Sequence, residues 1–306
     1  MKKRIIVYEV GPRDGLQNVA QPLDLDVKLR FVEALADAGL PAVEAGAFVS
    51  PKSVPQMAAT DELYARLHRR DGVRYPALVP NEKGLDAALA ANVNEIAVFT
   101  AASETFNQRN INASIAESLQ RFTPVVRRAR AANVRVRGYV STCFGCPYEG
   151  RVDPEVVLRV TRDLFALGVQ EVSLGDTIGV AVPTEVTSMV ERLRQAFDLD
   201  TIALHFHDTR GTALANVAAA LPLGITIFDA SAGGLGGCPY APGATGNLAT
   251  EDLLYLLHEM GYETGVDLDQ VVDASRIAET ALGVPLPSRV LRARLAERRR
   301  VAGPQA

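Results

Sequence analysis

Two histidines separated by one residue, His205 and His207 in "TIALHFHDT", are the first feature able to do chemistry. The run is apolar and β-branched, so it reads as a strand, and residues two apart on a strand face the same side of the sheet. Two imidazoles so placed suit two adjacent ligands of one metal ion. The bland alternative is a core histidine with the other as its hydrogen-bond partner. Only four histidines occur in the chain, and a pair of them at one strand end favours the metal. His68 and His258 fall in helical stretches and read as surface residues. The carboxylate of Asp14 and the amide oxygen of Asn247 would complete a mixed N/O set without thiolates, suited to Mg2+ or Mn2+, with Zn2+ also compatible. Asp14 taken alone could equally cap a turn in "RDGLQN". Asp208, next to His207, is expected to orient that imidazole.

Arg13 cannot lose its proton, which suits it to an oxyanion or enolate. Its simpler role is an ion pair with Glu44, and the two are compatible, because a carboxylate behind the guanidinium would fix its direction. Asp176 in "SLGDTIG" either takes a proton or a substrate hydroxyl, or caps the following loop through Thr177. Cys143 and Cys146 form a CxxC with no second pair, so they read as small buried apolar residues. The third thiol, Cys238, lies in "GGLGGCPYAPGATGN" (233–247), where six glycines give the backbone freedom to close over a site.

These residues need a scaffold, and the apolar pattern supplies one. Short β-branched runs at 4–10, 42–46, 73–79, 95–101, 134–141, 171–176, 201–206 and 225–231 alternate with stretches of helical period. Asp24 is a plausible N-cap of the first helix and Gly39 its stop. Regular βα alternation implies parallel strands with right-handed crossovers, and eight such units are the number that closes into a (β/α)8 TIM barrel. The rival, a doubly wound open sheet, usually carries a phosphate fingerprint in its first turn, and "GPRDGLQN" has none. In a barrel the catalytic groups sit just past the strand ends, where Arg13, Asp14, Glu44, Asp176, His205, His207, Cys238 and Asn247 all fall. One catalytic domain over 1–306 is expected, with roughly 267–306 as a C-terminal helical extension.

Composition narrows the class. With 306 residues, 48% hydrophobic, 22% charged and a net charge of −4, the chain reads as an ordinary globular protein with no global basic field for nucleic acid. No apolar run reaches the roughly 18 residues that span a bilayer. Three cysteines and no signal-like N-terminus point to a reducing cytoplasm.

The motifs "EVGPRDGLQN", "FVSPKSVPQM", "SLGDTIGV", "HFHDT" and "GLGGCPYAPGATGNLATEDL" occur in this order over residues 9 to about 265. Together they resemble the 3-hydroxy-3-methylglutaryl-CoA lyase family, within the DRE-type metallolyase TIM barrels. The resemblance implies Mg2+ or Mn2+ held by Asp14, His205, His207 and Asn247. It implies catalytic roles for Arg13, Cys238 and His205, support from Glu44 and Asp176, and substrate contacts at Arg13, Gln17, Ser173 and Thr177. The implied reaction is a retro-Claisen cleavage of the acyl-CoA to acetyl-CoA and acetoacetate, in a homodimer. Against the family pattern, Gly46 and Ala47 replace a hydroxyl residue, Ser53 follows Lys52, and Arg210 adds a cation near the substrate. A related branched 3-hydroxyacyl-CoA, such as citramalyl-CoA or a longer 3-alkyl homologue, is therefore the alternative substrate. A condensing synthase is a further alternative, and a non-catalytic scaffold the last. Lys52, Arg109 and Asn110 are the candidate contacts to the CoA nucleotide.

Overall fold

The computed structural model describes residues 4–237 and 246–302. Its main sheet is wholly parallel and contains β1 (Ile6–Glu9), β2 (Ala42–Val43), β3 (Gly46–Ala47), β4 (Ala77–Leu78), β5 (Glu95–Ala101) and β6 (Arg135–Ser141). After a small antiparallel hairpin, β7 (Gly145–Cys146) with β8 (Gly150–Arg151), the sheet resumes with β9 (Glu171–Asp176), β10 (Ile202–Phe206) and β11 (Ile227–Ala230). The strand order is β2-β1-β11-β10-β9-β6-β5-β4-β3. Its two outermost members are halves of one segment: Ala42 and Val43 pair with Tyr8 and Glu9, while Gly46 and Ala47 pair with Ala77 and Leu78. The sheet therefore closes on itself as the TIM barrel expected from the βα count.

One strand is much shorter than its apolar pattern. Residues 73–79 read as a strand, yet only Ala77–Leu78 are regular, because Pro76 has no N–H to give to a ladder. The first helix runs Leu25–Asp37, and the Asp24 carboxylate accepts the Asp26 N–H at 2.8 Å. It ends ahead of Gly39, whose φ of 94° suits glycine. The helix Leu268–Leu282 packs against it, and Asp252 accepts the N–H groups of Arg289 and Val290 at 3.2 and 2.8 Å at the start of the helix Arg289–Ala302. Among the described residues, no helix is long and apolar enough to cross a membrane.

The barrel interior holds buried charge as well as aliphatic side chains. Arg137 on β6 is fully buried, with Nε donating to Glu171 at 2.7 Å and Nη2 to Asp229 at 2.6 Å, over the Tyr8 ring. Such a group is tolerated inside only when its donors are matched in this way. Cys143 and Cys146 are buried and not bonded to each other; Cys143 donates to the Val140 carbonyl at 3.0 Å, and Cys146 lies 3.0 Å from the Ser103 hydroxyl. Burial pushes the Cys143 thiol up, which suits a packing role.

Candidate active site

β1 leads directly into a π-helical turn, Gly11–Gly15, in which the amides of Arg13, Asp14 and Gly15 converge on the Val10 carbonyl at 3.2, 2.7 and 3.2 Å. Widened turns of this kind recur at functional sites because they redirect side chains. Glu9 pins the turn from behind, accepting the N–H groups of Gly11 at 2.7 Å and Ala232 at 2.9 Å and the Thr250 hydroxyl at 2.6 Å. A Cβ at Gly11 would meet that carboxylate at 2.6 Å, so no larger residue fits.

The turn brings Asp14 to the two histidines. Ligand atoms of Asp14, His205 and His207 lie within 4.8 Å of one another, and the two imidazole centroids are 5.3 Å apart. Asn247 joins them through an antiparallel backbone bridge to His207. Its Nδ2 donates to Asp14 at 2.8 Å and to the Leu235 carbonyl at 3.1 Å, which fixes the amide orientation. Gly236, at φ 105°, leaves room for that amide, since a Cβ there would meet Nδ2 at 2.6 Å. Among the described residues, Asn247 Oδ1 and His207 Nδ1 are buried without a hydrogen-bond partner. An unmatched buried polar atom costs roughly 1–3 kcal/mol. Two of them beside a carboxylate and a second imidazole form a donor set that fits a divalent cation.

The electrostatics agree with that fit. Burial opposes the charged form of Asp14, but Arg13, the two imidazoles and Asn247 outweigh it and hold the carboxyl below its ordinary range. Burial and the neighbouring His205 push His207 down to about 3, so it stays the neutral imidazole that binds metals. His205 moves the other way: burial lowers it, yet its bond to Asp229 and the charges of Asp229 and Asp14 raise it. Arg13 donates to Asp14 at 2.8 Å and through Nε to Glu44 at 2.8 Å, and these carboxylates overcome burial to hold it fully charged.

A cavity of about 320 Å³ opens on these groups. Its polar lining, Arg13, Asp14, His205, His207 and Asn247 with Gln17, Ser173 and Thr177, comes chiefly from the ends of β1, β9 and β10, and Val49, Val54, Leu78, Phe99 and Phe106 come from the β3–β5 part of the barrel. Glu44 and Asp176 stand behind the wall. Both Asp176 oxygens are taken by backbone amides, Val180 at 2.9 Å and Ala181 at 3.0 Å, and burial raises its carboxyl to about 6. Thr177 instead accepts the Thr142 N–H at 2.8 Å. Cys238 lies outside the described residues.

Several expectations need correction. Asp208 does not hold His207: its carboxylate accepts the Ala213 N–H at 3.1 Å and Arg289 at 3.0 Å, because neighbours along an extended chain face opposite ways. A carboxylate stands instead at the other imidazole: Asp229, 3.3 Å from His205 Nδ1. Arg210 is an exposed cation tethered by its bonds to the Ile178 and Gly179 carbonyls at 2.6 and 3.1 Å. Gly46 has no room for a hydroxyl residue, as a Cβ there would meet Thr60 at 2.9 Å. Of the three nucleotide candidates, Asn110 lines the cavity, Arg109 stacks over the Tyr148 ring at 4.2 Å, and Lys52 is exposed.

Sequence reasoning also missed Arg137, Tyr139 and Asp229. Tyr139 accepts from Arg137 and donates to Glu44, both at 3.1 Å, so hydrogen bonds run unbroken from His205 through Asp229, Arg137, Tyr139 and Glu44 to Arg13 and Asp14. The available signal was charge inside apolar runs, "VRVRGYVS" and "ITIFDAS".

The HMGL-like family model matches residues 4–278. The chain belongs to the HMGL-like family. It is 54% identical to the hydroxymethylglutaryl-CoA lyase of Pseudomonas mevalonii over 92% of this chain and 94% of that protein. It is 52% identical to the 3-hydroxy-3-isohexenylglutaryl-CoA/hydroxy-methylglutaryl-CoA lyase of Pseudomonas aeruginosa, covering 97% and 99%. A crystal structure of hydroxymethylglutaryl-CoA lyase from Pseudomonas aeruginosa superposes with a TM-score of 0.95 at 52% identity, covering 97% of this chain and 99% of that one. The polar groups described above gather at the C-terminal ends of the barrel strands, where TIM barrels carry their active sites.

Proposed function

We propose that the protein is a metal-dependent carbon–carbon lyase that cleaves 3-hydroxy-3-methylglutaryl-CoA to acetyl-CoA and acetoacetate. The observation that carries this reading is the convergence of Asp14, His205, His207 and the unpartnered Asn247 oxygen beside the aimed guanidinium of Arg13. These four residues would hold Mg2+ or Mn2+. When bound, such an ion supplies Lewis acidity that lowers the pKa of a coordinated hydroxyl.

The chain's own groups do the rest. The C3 hydroxyl gives up its proton to a base as the bond between C2 and C3 breaks and acetoacetate leaves. Arg13, held by Glu44 and unable to give up its own proton, stabilises the negative charge on the thioester oxygen until the enolate is protonated at C2 to acetyl-CoA. Asp14, accepting from Arg13 and Asn247, keeps the guanidinium and the ligand cluster in one frame. Cys238 serves as the catalytic thiol of the glycine-rich stretch, and His205 supports catalysis as well as ligation. Asp176 shapes the turn at 177–181, while Gln17, Ser173 and Thr177 contact the substrate from the cavity wall. The active unit is one domain over 1–306 with a C-terminal helical extension from about 267, a homodimer in a reducing cytoplasm.

A second reading has its own support. The apolar wall of Val49, Val54, Leu78, Phe99 and Phe106 suits a larger 3-alkyl substituent, and one relative is named for isohexenylglutaryl-CoA. The test is acetoacetate release from hydroxymethylglutaryl-CoA with Mg2+ and a thiol reductant, run against thioesters with longer 3-alkyl groups. Chelation should abolish turnover and added Mn2+ restore it. Absence of acetoacetate under these conditions excludes the named substrate, and turnover unaffected by chelation excludes the metal.

A further inference from the structure

We infer that Asp229, clamped by Arg137 and Ser173, is a positioning residue that holds His205 in the Nδ1–H tautomer and leaves Nε2 as the nitrogen offered to the metal. The inference rests on the metal reading above.

The geometry is specific. Asp229 is 1% exposed on β11, and the His205 ring approaches it through Nδ1 at 3.3 Å. Its Oδ2 also accepts the Ser173 hydroxyl at 2.7 Å and Arg137 Nη1 at 3.2 Å, while Oδ1 accepts Arg137 Nη2 at 2.6 Å. Arg137 is itself fixed from its far side by Glu171 at 2.7 Å. The carboxylate thus cannot rotate without breaking a bidentate ion pair in the barrel interior. An acceptor facing Nδ1 requires a proton there, and a neutral imidazole with its proton on Nδ1 has its lone pair on Nε2. In water both tautomers of a free imidazole are populated, so this contact selects one of them.

The same geometry predicts what an amide would do. In Asp229→Asn, Arg137 retains the oxygen because it can only donate, so the NH2 is turned toward His205. A donor at that position favours protonation at Nε2, the nitrogen the metal needs bare. In serine proteases the equivalent change leaves the geometry intact and traps the wrong tautomer.

Two measurements test this. The first is 15N NMR of metal-free wild-type protein labelled at histidine, at alkaline pH, with His205 assigned using His68→Gln, His207→Gln and His258→Gln. Protonated Nδ1 and bare Nε2 on His205 support the inference, and the opposite tautomer overturns it whether or not Asp229→Asn folds. The second is Mn2+ titration followed by the electron paramagnetic resonance of free Mn2+. Asp229→Asn should bind roughly 10- to 100-fold more weakly. Glu171→Gln, which disturbs the same buried charges without touching His205, should keep wild-type affinity. Equal losses in both variants would mean general loosening and overturn the positioning role, as would wild-type affinity in Asp229→Asn. A wild-type protein that binds no Mn2+ removes the metal reading itself, while the NMR result still decides the tautomer.

Discussion

The two walls of the cavity are built on different principles. On the polar wall, Asp14, His205, Asn247 and Arg13 are each held by hydrogen bonds of 3.3 Å or less, behind which stand Glu44, Asp229 and Arg137. The apolar wall is formed by Val49 and Val54 from the segment after β3, Leu78 at the end of β4, Phe99 on β5 and Phe106 on the helix Glu104–Ile111. Direction decides what a metal ligand or an oxyanion donor can do, so the first wall is over-determined. Apolar contact is non-directional and answers mainly to volume, so the second wall can change shape without altering the reaction. The comparison therefore assigns the chemistry to one wall and the choice of acyl group to the other.

Substitutions can break or sharpen that division. The largest effect is expected at Arg13: replacing it with Met should lower kcat by roughly 100- to 1000-fold, with a much smaller change in KM. A KM effect that exceeds the kcat effect in steady-state assays would move Arg13 to plain substrate binding. Cys238→Ser should lower turnover by about 100-fold, within the range of a lost proton-transfer group, and leave Mn2+ affinity unchanged. Full activity in that variant removes the thiol from the chemistry. On the apolar wall, Val49→Ala and Val54→Ala should leave metal affinity intact and shift kcat/KM toward longer 3-alkyl thioesters by about 10-fold. Loss of turnover with every acyl group would collapse the distinction between the walls.

The smallest effect concerns pH. Burial raises the Glu9 carboxyl to about 7, so the folded protein favours its protonated form. That stabilisation is complete below about 4.5, the ordinary value, and is lost as pH rises through about 7. The melting temperature of Glu9→Gln should accordingly depend less steeply on pH over that window than that of the wild type.

Much of this arrangement was legible because it depends on period. The two-residue spacing of His205 and His207 places both rings on one side, and the βα alternation sets the strand count. What could not be read is pairing across the barrel. Asp208 looked like the orienting carboxylate because it is next in sequence, but its partners are Arg289 and Ala213. Asp229 lies 24 residues from His205 and meets it only because β10 and β11 are neighbours. The third strand was overestimated because apolar content does not report the N–H that Pro76 lacks.

The pairing of β1 with β2 has a consequence for how activity is acquired. The segment that supplies both edges of the sheet carries Glu44 between its two halves; the Glu44 N–H bonds to the Glu9 carbonyl at 2.8 Å, and its side chain fixes Arg13. Pairing β1 with β2 is thus the same event that aims the guanidinium. A refolding chain with its helices formed and these two strands unpaired has no directed cation. Recovery of turnover, followed alongside circular dichroism, would time that pairing separately from the winding of the helices.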